Sequence, residues 1–501
     1  MNYYPSLTDF KKAAETANAI PVYRHVMADS TTPVVAFRKL AEESSHAFLF
    51  ESVTGGEKLA RYSFMGCDPF CILKAKSGSV TLMDQEGNET KKAGDPFEII
   101  RETIAPFKSA ESGLPPLLAG GAVGYIGYDA VRYIEHLPDA PPDTLKLPDL
   151  YLCFYDTMFV IDHINNAARI VCSARIDGKD MESAYSEACA RIDKLAERLS
   201  GAPSMSVPDV TLDGEPTIPF SSNFELGQFE EAVRKSKEYI AAGDILQVVL
   251  SQRLTLESPP DPYQTYRALR LINPSPYMFH LRMDGLDLVG SSPEVMVRLE
   301  DNIVTVRPIA GTRRRGSTVE EDRYLAEELL RDPKELAEHA MLLDLGRNDV
   351  GRVSDFGTVK VTEEMVIERY SHVMHITSNV EGQVGEGKDA VDVLCSCLPA
   401  GTVSGAPKVR AMEIIDELEP DMRGPYAGAV GYLDFAGNMD TCITIRTIVI
   451  ADGEAHVQVG AGIVADSIPE KEYTETMNKA KGMLKAIQVA GELSSPENSS
   501  T

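Results

Sequence analysis

Apolar positions along the chain follow two rhythms. Short runs at residues 47–50, 79–83, 121–128 and 157–161, and longer ones at 245–256, 275–283, 303–309, 370–380, 428–435, 441–450 and 455–460, carry β-branched and aromatic side chains between turn residues. They predict strands, because such side chains fit a pleated, half-buried surface. Elsewhere the spacing is helical. Residues 181–199 repeat Ala, Ile and Leu at helical intervals, and Leu226, Phe229, Val233 and Ile240 form a stripe that ends at Gly243. Ser222 and Glu225 have capping-box spacing ahead of that stripe. Asp332-Pro333-Lys334-Glu335 and Ser467-Ile468-Pro469-Glu470 read as helix starts. The first predicts a helix to about Gly346, the second a helix burying Tyr473, Met477, Ala480, Leu484 and Ile487. Strands grouped in runs, with few strand–helix alternations, predict an α+β fold of largely antiparallel sheets flanked by helices.

One stretch, residues 200–223, is rich in Pro, Ser, Gly and Asp and has no period. It reads as a linker between an N-terminal domain (1–199) and a second domain (224–490), with 491–501 as a disordered tail. The 501 residues are 43% hydrophobic, enough for an ample core. Acidic residues outnumber basic ones 76 to 49, a net charge of −27. So negative a surface excludes general binding to nucleic acid or an anionic membrane, but not a small anion held by local cations. No apolar run reaches the ~18–20 residues that span a bilayer. The N-terminal residues lack the layout of a secretory or transit peptide. Eight scattered cysteines without zinc-site spacing are expected as reduced thiols of a cytoplasmic protein.

Several features carry candidate chemistry, each beside a plainer reading. Glu338 lies one turn into its helix, and Glu472, Glu475 and Lys479 fall off the buried stripe of the last one. These are either solvated helix faces with an i,i+4 pair, or carboxylates meeting across a cleft to hold Mg²⁺. His372 and His375 fall on a predicted strand and so face opposite ways, which disfavours a metal pair and leaves one as a lone acid–base group or a structural histidine. The glycine-rich stretches 400–408 and 460–462 are turns or cradles for an anion. Arg313-Arg314-Arg315 is a solvated loop or a local positive cluster.

These segments together resemble the chorismate-utilising enzyme family. The resemblance is carried by GDILQVVLSQR (243–253), NPSPYMF (273–279), GSSPEVMVRL (290–299), PIAGTRRRG (308–316) and KELAEHAMLLDLGRNDVGRV (334–353). SHVMH (371–375), PAGTVSGAPKVRAMEIIDELEP (399–420), YAGAVGYLD (426–434), TCITIRT (441–447) and VGAGIVADSIPEKEYTETMNKA (459–480) extend it over nearly the whole chain. The most similar branch is the anthranilate synthase large subunits (component I), whose tryptophan-binding element FLFES (48–52) matches with Phe in place of the more usual Leu.

The resemblance implies roles. Glu338 and Glu475 match two Mg²⁺ carboxylates, and Gly311, Thr312, Tyr426, Arg446, Gly460, Ala461 and Gly462 match contacts to chorismate. Glu294 matches the general acid that protonates the departing C4 hydroxyl, and His375 the histidine linked to pyruvate elimination. Thr402 lines the same cavity. Gln247 stands where members that add water carry a lysine base, and Ala310 where members that attack through an enzyme amine carry lysine. The implied reaction is amination of chorismate by ammonia to anthranilate, the first committed step of tryptophan biosynthesis. Ammonia would come from a separate glutamine amidotransferase subunit (component II), in a heterotetramer, because no cysteine here has a nucleophile's setting. Glu51, Ser52, Pro276, Tyr277, Met278 and Cys442 match a pocket for tryptophan as feedback inhibitor. The alternatives are an aminodeoxychorismate, aminodeoxyisochorismate or isochorismate/salicylate synthase, or an inactive tryptophan sensor.

Overall fold

In the computed structural model, the strand-forming runs assemble into two twelve-stranded sheets. The structure describes residues 2–27, 29, 31–52, 61–110, 117, 120–165, 167–176, 178, 180–200, 209–370 and 373–493. Every ladder between strands is antiparallel, as the grouping of strands predicts. The sheets pack face to face. Phe48, Phe279 and Leu281 of the first meet Val123, Tyr125 and Val430 of the second in one buried cluster. Helices cover the outer faces: Pro33–Ala41, Met181–Leu199, Pro262–Ile272 and Pro469–Leu493 on the first sheet, Pro96–Ile104, Pro333–Gly351 and Ala390–Cys397 on the second. Strands covered on both sides read as continuous apolar runs, and Leu150–Tyr155 is buried at every position.

The linker-like composition of 200–223 marks no boundary in space. Each sheet takes strands from both sides of it. His46–Glu51 pairs with Tyr277–Met283, placing Glu51 opposite Met278. Gly121–Ile126 pairs with Ala429–Asp434. The described part of the segment is itself strapped down. Ser221–Ser222 forms a short strand on Gln247–Glu257. Lys485 donates to the Asp213 carbonyl, Lys481 pairs with Glu215, and the Thr217 N–H donates to Gln488. Polar, proline-rich composition reports weak local propensity, not whether an extended segment is pinned by its neighbours. The final helix runs through Leu493, past the expected start of the tail, and residues 494–501 and His372 lie outside the described residues.

Helix ends shift slightly from expectation. Asp332 accepts from the N–H groups of Lys334 and Glu335 as predicted, and its helix runs on to Gly351. Glu225, not Ser222, caps the helix Leu226–Ala242, with Gln228 closing the capping box. The Ser222 hydroxyl donates to Gln252 instead. Ser467 accepts from the Val464 N–H rather than capping Pro469–Leu493.

The larger departure is at 441–450, expected as one strand. Met439–Ile443 lies in the second sheet and Thr447–Ala451 in the first, with Arg446 between them at φ 52°. A second crossing runs from Leu286–Ser292 in the first sheet to Val295–Glu300 in the other, through Pro293 and Glu294. Proline has no N–H for the ladder, so pairing stops there. The two crossings are bonded to each other. The Ile443 N–H donates to the Glu294 carbonyl (3.0 Å), the Ser291 N–H to the Arg446 carbonyl (3.1 Å), and the Ser292 hydroxyl to the Ile443 carbonyl (2.7 Å).

Residues 1–199 expressed alone should therefore show no cooperative urea transition by circular dichroism, because His46–Glu51 and Gly121–Ile126 would lose their partners. A sharp transition from that fragment would mean that the shared sheets are not needed for it to fold.

Candidate active site

The crossings carry two site residues out of their ladders and into the space between elements. Glu294 is 5% exposed, and burial pushes its carboxyl up to about 7. Bonds from the Thr402 hydroxyl (2.7 Å) and the Ile309 N–H oppose that rise. A carboxyl balanced near neutrality can hold a proton and give it up. Thr402 is presented by a single 3₁₀ turn, Gly401–Val403. Glu294, Gly401 and Thr402 line a small cavity with Leu342 and Asp349 of the helix Pro333–Gly351.

His375 lies on the strand Val373–Gln383, beside a bulge in Ile309–Arg314. At the bulge Gly311 has φ +67°, a conformation that a side chain would strain. The His375 Nδ1 is 3.0 Å from the Gly311 carbonyl and 3.1 Å from the Thr312 hydroxyl. A carbonyl only accepts, so Nδ1 carries the proton and Nε2 of the neutral ring keeps its lone pair. Burial, and secondarily Arg446, hold this imidazole below its ordinary range, while the bond to Gly311 opposes them.

Small residues form a further part of the candidate site, its floor. Strands Gln247–Glu257 and Glu454–Ile463 are paired so that Val249, Leu250 and Ser251 face Gly462, Ala461 and Gly460. A Cβ on Gly460 would sit 2.7 Å from the Tyr426 hydroxyl, and one on Gly462 would sit 2.5 Å from the Gln247 amide nitrogen. Gln247 is buried, and its Oε1 has no hydrogen-bond partner among the described residues. Burial pushes the Tyr426 phenol up to about 12, so it stays protonated. Arg446 is held below its ordinary range by burial and forms no ion pair among the described residues. The one hydrogen bond of its guanidinium there is a long contact to the Lys479 carbonyl (3.5 Å). A desolvated guanidinium next to glycine backbone and a phenol is a receptor for a carboxylate.

Glu338 and Glu475 come from the helices Pro333–Gly351 and Pro469–Leu493. Burial, then the charges of Glu335 and Glu475, raise the Glu338 carboxyl. Glu475 pairs with Lys479 at 2.7 Å, and the same ammonium donates to the Gly460 carbonyl at 2.9 Å. Lys479 thus reaches the glycine strand, while Glu475 is exposed, as the plainer reading of an i,i+4 pair on a solvated helix face expects. Among the described residues no three His, Cys, Asp or Glu side chains converge to hold a metal unaided. Two hard carboxylates crowded by a third suit an oxygen-liking dication that takes its remaining ligands from water and substrate.

The arginine cluster is not an anion site. Arg313 pairs with Glu328, Asp332 and Glu335, Arg314 with Glu321, and Arg315 with Asp322. Acidic residues of the following helices neutralise all three, an arrangement that sequence spacing left open.

A second cavity opens between the sheets. Glu51, Ser52, Pro276, Tyr277, Met278 and Cys442 all line it. Glu51 is tied to Tyr266 (2.6 Å) and Arg270 (3.0 Å), and Tyr277 to Asp440 (2.9 Å). Arg298 and Asp440, paired at 2.7 Å, belong to this wall and carried no signal in the sequence.

Residues 45–485 match the chorismate binding enzyme family. The chain belongs to that family. It is 50% identical to anthranilate synthase component 1 of Acetivibrio thermocellus, over 98% of this chain and 100% of that one. The crystal structure of anthranilate synthase component I from Streptococcus pneumoniae TIGR4 superposes with a TM-score of 0.76 at 38% identity, covering 92% of this chain and 99% of the other. The menaquinone-specific isochorismate synthase of Escherichia coli shares the fold, with a TM-score of 0.68 at 18% identity over 96% of this chain and 99% of that one. Within this chorismate-binding family member, the least replaceable floor position is Gly460. Its Cβ would also meet the Leu250 carbonyl at 2.9 Å, and backbone cannot swing aside. Gly460→Ala should lower kcat/KM for chorismate roughly 100-fold, the scale of an ~1 Å misplacement. Steady-state kinetics check this, and an unchanged value would remove the floor from the substrate site.

Proposed function

We propose that the chain is the large component of an anthranilate synthase, converting chorismate and ammonia to anthranilate, pyruvate and water. The observation that carries this reading is a poised acid combined with no base for water. Glu294 sits near neutrality, while position 247 offers an amide that cannot deprotonate water. Ammonia needs no base. It adds at C2 as the ring double bonds shift and the C4–O bond breaks. Glu294 gives its proton to the departing hydroxide, which leaves as water, and the new ammonium group releases one proton to become the amine and restore the acid. The Nε2 of His375 then takes the C2 proton, the C3–O bond breaks, and the ring aromatises. The proton held by the imidazolium passes to the methylene of the departing enolpyruvate, which leaves as pyruvate and restores the neutral ring. Arg446 and Tyr426 hold the substrate's charge in place throughout. Glu338 and Glu475 would hold Mg²⁺, which when bound supplies positive charge for a substrate carboxylate.

Burial raises all eight cysteine thiols, so none is the activated nucleophile that glutamine hydrolysis needs. A glutamine amidotransferase partner supplying ammonia follows from that. No helix among the described residues is long and apolar enough to cross a membrane, and eight free thiols favour a reducing, cytoplasmic setting. Tryptophan would fill the cavity between the sheets, where apolar walls from Pro276 and Met278 meet the polar groups of Glu51 and Ser52.

With chorismate, Mg²⁺ and excess ammonium salt, the purified chain should release anthranilate and pyruvate, resolved by mass, and lose activity with EDTA. Isochorismate, salicylate or a C4-amino product would contradict the reading. At constant free ammonia, kcat should fall toward tenfold per pH unit as pH rises past about 7, because the acid loses its proton. Glu338→Gln should abolish Mg²⁺-dependent turnover with the fold intact by circular dichroism. Ser52→Phe should relieve tryptophan inhibition with little change in uninhibited turnover. Undiminished inhibition in that variant would place the effector elsewhere.

A further inference from the structure

Beneath the site lies a buried ion pair that the proposed chemistry does not use. Arg423 and Glu419 are 1% and 5% exposed. The Arg423 Nε donates to Glu419 Oε2 at 2.9 Å and Nη2 to Oε1 at 2.5 Å. The fork has two more acceptors, both backbone: Nη1 donates to the Val403 carbonyl and Nη2 to the Val249 carbonyl, each at 2.7 Å. Glu419 Oε1 also accepts from the N–H and hydroxyl of Ser251, at 2.7 and 2.9 Å. The guanidinium lies over the Tyr426 ring, 5.6 Å from its centroid.

Each of these contacts adjoins a site residue. Val403 follows Thr402 in the same 3₁₀ turn. Val249 is on the strand that opens with Gln247, and Ser251 is opposite Gly460. Tyr426 is part of the site itself. One planar cation thus ties together elements that the chain supplies separately. Stability does not account for it, since two apolar residues of similar volume often serve a core as well as a buried pair. What apolar residues lack is a rigid fork that fixes two carbonyls and a carboxylate at set angles.

We propose that Arg423 is a positioning residue for the reaction. Through the Val403 carbonyl it sets the turn so that the Thr402 hydroxyl reaches Glu294, and through its face it keeps Tyr426 over Gly460. The proposal rests on Glu294 being the proton donor.

The pH–rate profile separates positioning from plain stability. The Thr402 hydroxyl donates to the Glu294 carboxylate and favours its charged form. Losing that bond raises the carboxyl further and moves the alkaline limb of kcat to higher pH. Thr402→Val calibrates the effect, an upward move of about one pH unit in the full chain at constant free ammonia. The double variant Glu419→Met, Arg423→Met leaves no unpaired charge, and Arg423→Lys keeps the charge without the fork. Both should lower kcat at least tenfold and move the limb in the same direction as Thr402→Val. Adding Thr402→Val to either should move it no further. A folded variant of either kind with the wild-type limb would overturn the proposal, whatever its Tm. If Thr402→Val itself leaves the limb in place, the acid assignment fails and this proposal falls with it.

Discussion

The site depends on two of the places where the chain leaves one sheet and enters the other, and on the bonds that lock those two places together. At Pro293-Glu294 and at 444–446 a strand cannot continue, the first for want of an N–H and the second because Arg446 takes a left-handed turn. Residues that leave a ladder have side chains and carbonyls free to face a cavity. The crossings then bond to each other through Ile443, Ser291 and Ser292, so the acid and the guanidinium are held in one frame. Breaking the ladders in this way costs backbone bonds, and the mutual bonding of the crossings offsets part of that cost.

Around this frame the site is assembled from elements distant in sequence. The second sheet contributes His375 beside the Gly311 bulge, the first contributes the Gly460–Gly462 floor, and two helices bring Glu338 and Glu475 to its edge. Desolvation raises Glu294 and lowers His375 and Arg446. One burial effect thus acts on all three groups, disfavouring the charged form of each, and Arg446 forms no ion pair among the described residues.

The second cavity sits where the N-terminal and C-terminal strands of the first sheet join, at Glu51 and Met278. A ligand there touches both halves of the chain and the Tyr277–Asp440–Arg298 cluster that borders the strand beyond Glu294. The cavity and the crossing at Glu294 are therefore connected by a short path through the sheets.

Much of this was legible in the residues. Patterning of apolar positions predicted part of the strands, several of the longer helices and the antiparallel α+β class, because each depends on local periodicity. Strands such as Leu150–Tyr155, Leu286–Ser292 and Val295–Glu300 were not read from it. Family-specific motifs brought the site and cavity residues to notice one by one. Only the tertiary structure decided that 200–223 separates nothing, that 441–450 is two strands in two sheets, and that Arg313, Arg314 and Arg315 are neutralised. It alone found Arg423 buried under the site. Sheet membership and the burial of Arg423 depend on residues tens to hundreds of positions away, while the acids that meet Arg314 and Arg315 are only seven positions on and are brought round by the packing of the next helix, which periodicity does not encode.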